Sequence, residues 1–212
     1  MNRAANFVAV IVSLCYSLCA VIGVDCIAPA RAETAITGKP APSFTLTNAL
    51  GQAVALEGLK GKTVVLEWFN PGCPFVKKFY TNSDMQNFQR QAREQGAQWL
   101  TISSSAAGRQ GHIAPADALA TAAENRLDPA SLLLDSDGSV GRLYGAKTTP
   151  HIFVVDSKGI LAYAGAIDST PSTSQADIAA STNYAIAAVK ALARGEAPNP
   201  ANTDAYGCSV KY

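Results

Sequence analysis

Cys73 stands where a long apolar run stops, and its setting favours an ionised sulfur. Val64-Val65-Leu66-Glu67-Trp68-Phe69 is rich in β-branched and bulky residues and predicts a buried strand. Asn70-Pro71-Gly72 breaks it with a turn signal, and Pro74 suits the first position of a helix. A thiol at a helix N-terminus meets unpaired N–H groups and the positive end of the dipole, which bring its pKa below the ordinary value of about 8.5. The thiolate is the form that attacks peroxides and disulfides. The spacing therefore predicts thiol redox chemistry, provided the sulfur is within reach of solvent. Lys77 and Lys78, one turn on, are placed to add positive potential.

Which other thiols remain depends on the N-terminus. Arg3 precedes an apolar run from Phe7 to Val24, and Ala30-Arg31-Ala32 is a small-x-small cleavage signal. Residues 1–32 thus read as a secretory signal peptide, and the protein as exported, periplasmic or secreted. Ser13, Ser17 and Gly23 interrupt the run and Asp25 follows it, a poor composition for spanning a membrane. Cys15, Cys19 and Cys26 lack the small preceding residues of a lipid-anchor site, so no stable membrane anchor is expected after cleavage.

Cleavage after Ala32 removes those three of the five cysteines and leaves 180 residues with Cys73 and Cys208 alone. Two thiols in an exported protein suggest one disulfide. Cys208 then reads either as a resolving thiol on a flexible tail or as a staple for that tail. In the chain-entropy model, a bridge closing so long a loop contributes about 4–5 kcal/mol. Of the chain's 17 basic and 16 acidic residues, removal of Arg3, Arg31 and Asp25 leaves 15 of each. That balance points to no nucleic-acid partner. His112 and His151 complete a Cys₂His₂ donor set, but without the paired spacing of a metal motif. Copper binding is accordingly an alternative, as is a redox-inert scaffold with one disulfide.

The elements that position these residues alternate. Phe44-Thr45-Leu46 and Val54-Ala55-Leu56 flank the turn Asn48-Ala49-Leu50-Gly51 and predict an entry hairpin. A short helix runs from Pro74 to about Tyr80. The capping-box pattern Ser83-Asp84-Met85-Gln86 restarts a helix that Gly96 ends. Strands follow at Trp99–Ile102 and Leu132–Leu134, with a Ser/Gly loop at 104–113 and a helix from Pro115 to about Asn125 between them. Val140–Tyr144 is a helical turn, Ile152–Val155 and Ile160–Ala164 a hairpin, and Ile178, Tyr184, Ile186, Val189 and Leu192 mark a last helix. Residues 199–212 read as irregular. The whole predicts an α/β sandwich with a mixed central sheet. Residues 33–196 form the domain and 197–212 the tail.

Strand, turn, a cysteine at a helix start, then Lys147-Thr148-Thr149-Pro150 before Ile152-Phe153-Val154-Val155 together resemble the thioredoxin-like superfamily over most of residues 38–195. The entry hairpin and loop positions resemble its peroxiredoxin-like (alkyl hydroperoxide reductase/thiol-specific antioxidant, redoxin) branch. The ending Tyr206-Gly207-Cys208-Ser209-Val210-Lys211-Tyr212 resembles redoxin-domain proteins of that branch. The resemblance implies a cis proline at Pro150 facing Cys73, with the preceding backbone open to a substrate chain. It also implies that Glu67, six residues before the thiol, is a buried acid that relays protons, its pKa raised by burial. Val76 stands where thioredoxins carry their second cysteine. Leu66 and Asn70 stand where peroxiredoxins carry proline and threonine or serine, so the peroxide-activating set is incomplete.

The expected protein is therefore an exported thiol oxidoreductase with Cys73, Cys208, Glu67 and Pro150 at its site. It needs a peroxide or protein-disulfide substrate, an external thiol reductant and no organic cofactor.

Overall fold

The computed structural model describes residues 34–212. The expected signal peptide at 1–32, with Cys15, Cys19 and Cys26, lies outside them. The apolar run forms β3 (Val64–Trp68), all five residues buried. A strand buried on both faces belongs inside a sheet. It pairs in parallel with β4 (Gln98–Ser103) and antiparallel with β7 (His151–Val155). β5 (Leu132–Leu134) continues the parallel part beside β4. The entry hairpin, β1 (Thr45–Asn48) with β2 (Ala53–Ala55), closes one edge, and β8 (Leu161–Gly165) the other. The order is β2-β1-β5-β4-β3-β7-β8, the mixed α/β sheet that the alternating pattern predicts.

Side chains alternate across β3 and so feed two cores. Val65 and Phe69 face a layer of helices: α1 (Pro74–Tyr80), α2 (Asp84–Glu94), α3 (Ala118–Glu124) and α5 (Tyr184–Ala193). Val64, Leu66 and Trp68 face α4 (Ser139–Tyr144) and the hairpin side. There Trp68, Tyr144 and Phe153 pack with ring centroids 5.1–5.5 Å apart, each pair adding about 0.5–1.5 kcal/mol beyond area burial. Among the described residues no helix is long and apolar enough to cross a membrane.

Three local expectations change. Ser83 does not cap α2: it is left-handed, with φ 67°, and its hydroxyl accepts from Arg126 at 2.6 Å. The reversal between two nearly contiguous helices takes the residue that the capping box would have used. The last helix starts at Tyr184, not near Ile178, because the Asn183 side chain accepts from the Ile186 N–H at 2.9 Å and fixes the first turn there. The irregular tail contains a strand, β9 (Cys208–Ser209), paired antiparallel with β6 (Thr148–Thr149).

Candidate active site

Asn70 holds the turn that presents the thiol. Its side-chain oxygen accepts from the Gly72 N–H at 2.8 Å, and its amide donates to the Gln110 carbonyl at 3.2 Å. Gln110 returns a bond to the Gly72 carbonyl at 3.0 Å. The Cys73 N–H closes the turn on the Asn70 carbonyl at 3.0 Å, and Cys73 is the N-cap residue of α1 with Pro74 behind it. Gln110 was not legible in the sequence. It lies in the Ser/Gly loop, and nothing in its spacing ties it to residue 70.

Opposite Cys73 is the loop before β7. The Thr149–Pro150 bond is cis, as the resemblance implies, and the protonated Cys73 thiol donates to the Thr149 carbonyl at 3.1 Å. Thr149 faces Cys208 across the β6–β9 ladder. Both cysteines are thiols, and Cys208 stands opposite Thr149, whose carbonyl accepts from the Cys73 thiol, so each perturbs the other's ionisation. Burial pushes the Cys73 thiol up. Hydrogen bonds from the Cys208 thiol, the Thr149 hydroxyl and the backbone N–H groups of Cys208 and Val76 outweigh it, and the net direction is down. Cys208 moves the other way, to about 11, through burial and then through its bond to Cys73 and the charge there. The pair is therefore asymmetric: Cys73 gives up its proton more readily than Cys208.

The lysines do not supply the shift. Lys77 is exposed. Lys78 is buried and turned away to Asp168, with Nζ 3.1 Å from Oδ2 and 3.1 Å from the Thr170 carbonyl. Removing one partner of a buried ion pair leaves an uncompensated charge. Lys78→Ala is expected to cost about 3–5 kcal/mol in urea unfolding; a loss below about 1 kcal/mol would show that Asp168 is resolvated cheaply.

Cys73 is fully buried, so the expectation of a solvent-reachable nucleophile is not met as the chain stands. The cover is the tail. Tyr206 packs on Phe75 with centroids 5.8 Å apart, and its hydroxyl donates to Asp168. Gly207 lies so close that a Cβ there would sit 2.1 Å from the Thr149 carbonyl oxygen, at a φ of +130° that side chains rarely adopt. Gly207→Ala is expected to lift the tail and speed iodoacetamide labelling of Cys73 about tenfold or more, read by peptide mass. An unchanged rate would place the barrier elsewhere.

Glu67 lies on the helix-layer side of β3, fully buried. Tyr80 donates to its carboxyl at 2.9 Å, Trp99 at 2.9 Å and Thr101 at 3.3 Å. Burial drives its pKa up to about 7 against the opposing pull of these donors. Its bonds are to these three side chains and not to Cys73. His112 bonds the Ser105 carbonyl, and His151 accepts from the Lys147 N–H and stacks on Phe153. Among the described residues no three His, Cys, Asp or Glu side chains are grouped to hold a metal ion.

The AhpC/TSA family description matches residues 37–164. The chain belongs to the AhpC/TSA family. Solved structures similar to this AhpC/TSA member include a hypothetical protein from Sinorhizobium meliloti, 23% identical, covering 85% of this chain and 96% of that one with a TM-score of 0.69. An uncharacterized conserved protein from Geobacillus kaustophilus is 27% identical over 84% and 92%, with a TM-score of 0.66. A protein assigned as the thiol:disulfide interchange protein DsbE, from Chlorobium tepidum, is 24% identical over 60% and 83%, with a TM-score of 0.50. The fold is thioredoxin-like, of the kind that thiol–disulfide oxidoreductases share.

Proposed function

We propose that the chain is an exported thiol–disulfide oxidoreductase whose redox pair is Cys73 and Cys208. One observation carries this reading: the tail sets a second thiol opposite Thr149, whose carbonyl accepts from the Cys73 thiol, while Val76 stands where the second Cys-x-x-Cys cysteine would be. The Cys73 thiolate attacks one sulfur of a substrate disulfide. A mixed disulfide forms and one substrate thiolate leaves. Cys208 then attacks the Cys73 sulfur and passes its proton to the second departing thiolate. The substrate gains two electrons, and the protein ends as a Cys73–Cys208 disulfide that an external thiol must reduce. The cis Thr149–Pro150 loop shapes the groove, since its carbonyl already meets the sulfur. Glu67, titrating near neutrality on the same layer, is the proton-handling group. The similarity to a protein assigned to thiol:disulfide interchange agrees with this, and the leader at 1–32 supports export.

Family membership favours a second substrate, a peroxide. Attack on the O–O bond would give a Cys73 sulfenic acid, which Cys208 would condense to the same disulfide with loss of water. Stopped-flow oxidation of the reduced protein separates the two. Reaction with a small aromatic disulfide is expected to outpace free cysteine at pH 7, and reaction with hydrogen peroxide is expected to match free cysteine. Faster peroxide oxidation would reverse the assignment, and no excess rate with either would end it.

A further inference from the structure

The segment that buries Cys73 is held like a bound peptide. At one end Tyr206 donates to Asp168 and packs on Phe75. Asp168 is itself held by Lys78, both side chains out of water. At the other end the Tyr212 ring lies 4.4 Å from the Arg142 guanidinium and against Gly141, where a Cβ would be 2.6 Å from it. The Tyr212 hydroxyl donates to the Ala146 carbonyl at 2.8 Å. Between these anchors the backbone adds to β6: Thr149 faces Cys208 and Thr148 faces Ser209. The Val210 N–H donates to the Lys147 carbonyl at 3.0 Å, and the Lys211 carbonyl accepts from Ala106 at 2.8 Å.

We propose that residues 206–212 are an intramolecular occupant of the peptide groove over Cys73, a gate that must lift before reaction. The partner that replaces it is an extended protein segment with an aromatic residue two positions before its cysteine and glycine directly before it. The proposal rests on the thiol-exchange reading above. Main-chain pairing with an added strand is indifferent to sequence, so selectivity comes from the side-chain sites. Three are visible. The aromatic slot is bounded by Phe75 and ends in the buried Asp168 carboxylate. The next position has no room for a side chain beside the Thr149 carbonyl. The one after puts the cysteine opposite Thr149, whose carbonyl accepts from the Cys73 thiol. A tethered occupant competes at high effective concentration, so an incoming segment must satisfy the same three sites and then be captured covalently by Cys73.

The test uses the full chain with Cys208→Ser, which leaves Cys73 without an internal partner thiol. Iodoacetamide labelling of Cys73, read by peptide mass, is expected to be slow. It should rise about tenfold or more when Tyr206→Ala removes the hydrogen bond to a buried charge. Tyr212→Ala, at the opposite anchor, should raise it as well, which guards against misfolding of either variant alone. Unchanged labelling in both overturns the gate. For the partner, the Cys208→Ser, Tyr206→Ala chain is mixed with the hexapeptide Ala-Tyr-Gly-Cys-Ser-Val carrying its cysteine as a disulfide with thionitrobenzoate. Attack by Cys73 on the peptide sulfur forms the protein–peptide disulfide, breaks the bond to thionitrobenzoate and releases that coloured thiolate. Replacing the peptide's tyrosine or glycine by alanine is expected to slow the release about tenfold or more, and equal rates overturn the stated preference. If Cys73 reacts with no disulfide although labelling responds to Tyr206→Ala, the exchange reading falls and the gate stands.

Discussion

Cys208→Ala is expected to raise the pH at which Cys73 ionises and to abolish the proposed internal disulfide. The Cys208 thiol heads the hydrogen bonds that hold the Cys73 pKa down against burial. Alanine removes that donor and leaves the buried position of the sulfur largely intact. A hydrogen bond to a charged group contributes about 1.5–3 kcal/mol, so the midpoint of Cys73 labelling against pH should climb by about one unit or more. The sign follows from which form is stabilised: the bond is made to the thiolate, and losing it favours the thiol. In the same variant an oxidised protein should carry a mixed disulfide or sulfenic acid at Cys73 where the parent carries the internal bridge, a difference visible by intact mass. A midpoint that stays in place would mean that the Thr149 hydroxyl and the backbone N–H groups carry the depression alone.

Glu67→Gln flattens the loss of stability on passing from acid to neutral pH. The folded protein holds the carboxyl proton up to about pH 7, against an ordinary value of 4.5, chiefly because burial penalises the charge. Below 4.5 both states are protonated and this group gives no pH dependence. Between 4.5 and about 7 the unfolded chain releases the proton while the folded chain keeps it, so stability falls as pH rises. Above about 7 both are ionised and the loss, about 3 kcal/mol in all, is complete. Glutamine is never charged, and its amide can serve Trp99 and Thr101 with its oxygen and Tyr80 with its nitrogen. Denaturant unfolding at pH 4.5 should find the two proteins near equal, and at pH 8 the variant should be the more stable. Parallel pH profiles would mean that Glu67 is wetter than its burial indicates. The rate of disulfide exchange against pH gives the matching test of proton handling: a merely structural Glu67 would leave the shape of that profile unchanged on substitution.

Much of the scaffold was legible because it is local. β3, β5 and the entry hairpin announce themselves by apolar runs bounded by turn residues, and they lie within a residue or two of the expected positions. Cys73 at the head of α1 and Pro150 ahead of β7 were also readable, since each is defined by its immediate neighbours. Where local signals misled, a longer-range contact had taken over. Ser83 has the right type for a cap but turns to serve Arg126, 43 positions away. Lys78 has the right place to activate a thiol but pairs with Asp168, 90 positions away.

The amino-acid order by itself determined the thioredoxin-like scaffold, the cysteine at the helix start and its facing proline, because strand, turn and helix preferences act over a few residues. Only the tertiary structure decided that Cys73 is covered, that Cys208 lies across the Thr149 backbone from it, and that Tyr206, Gly207 and Tyr212 dock the end of the chain. These depend on where a polypeptide returns after some forty to well over a hundred residues. That return is set by the summed packing of two cores and an added strand, and no short-range pattern encodes it.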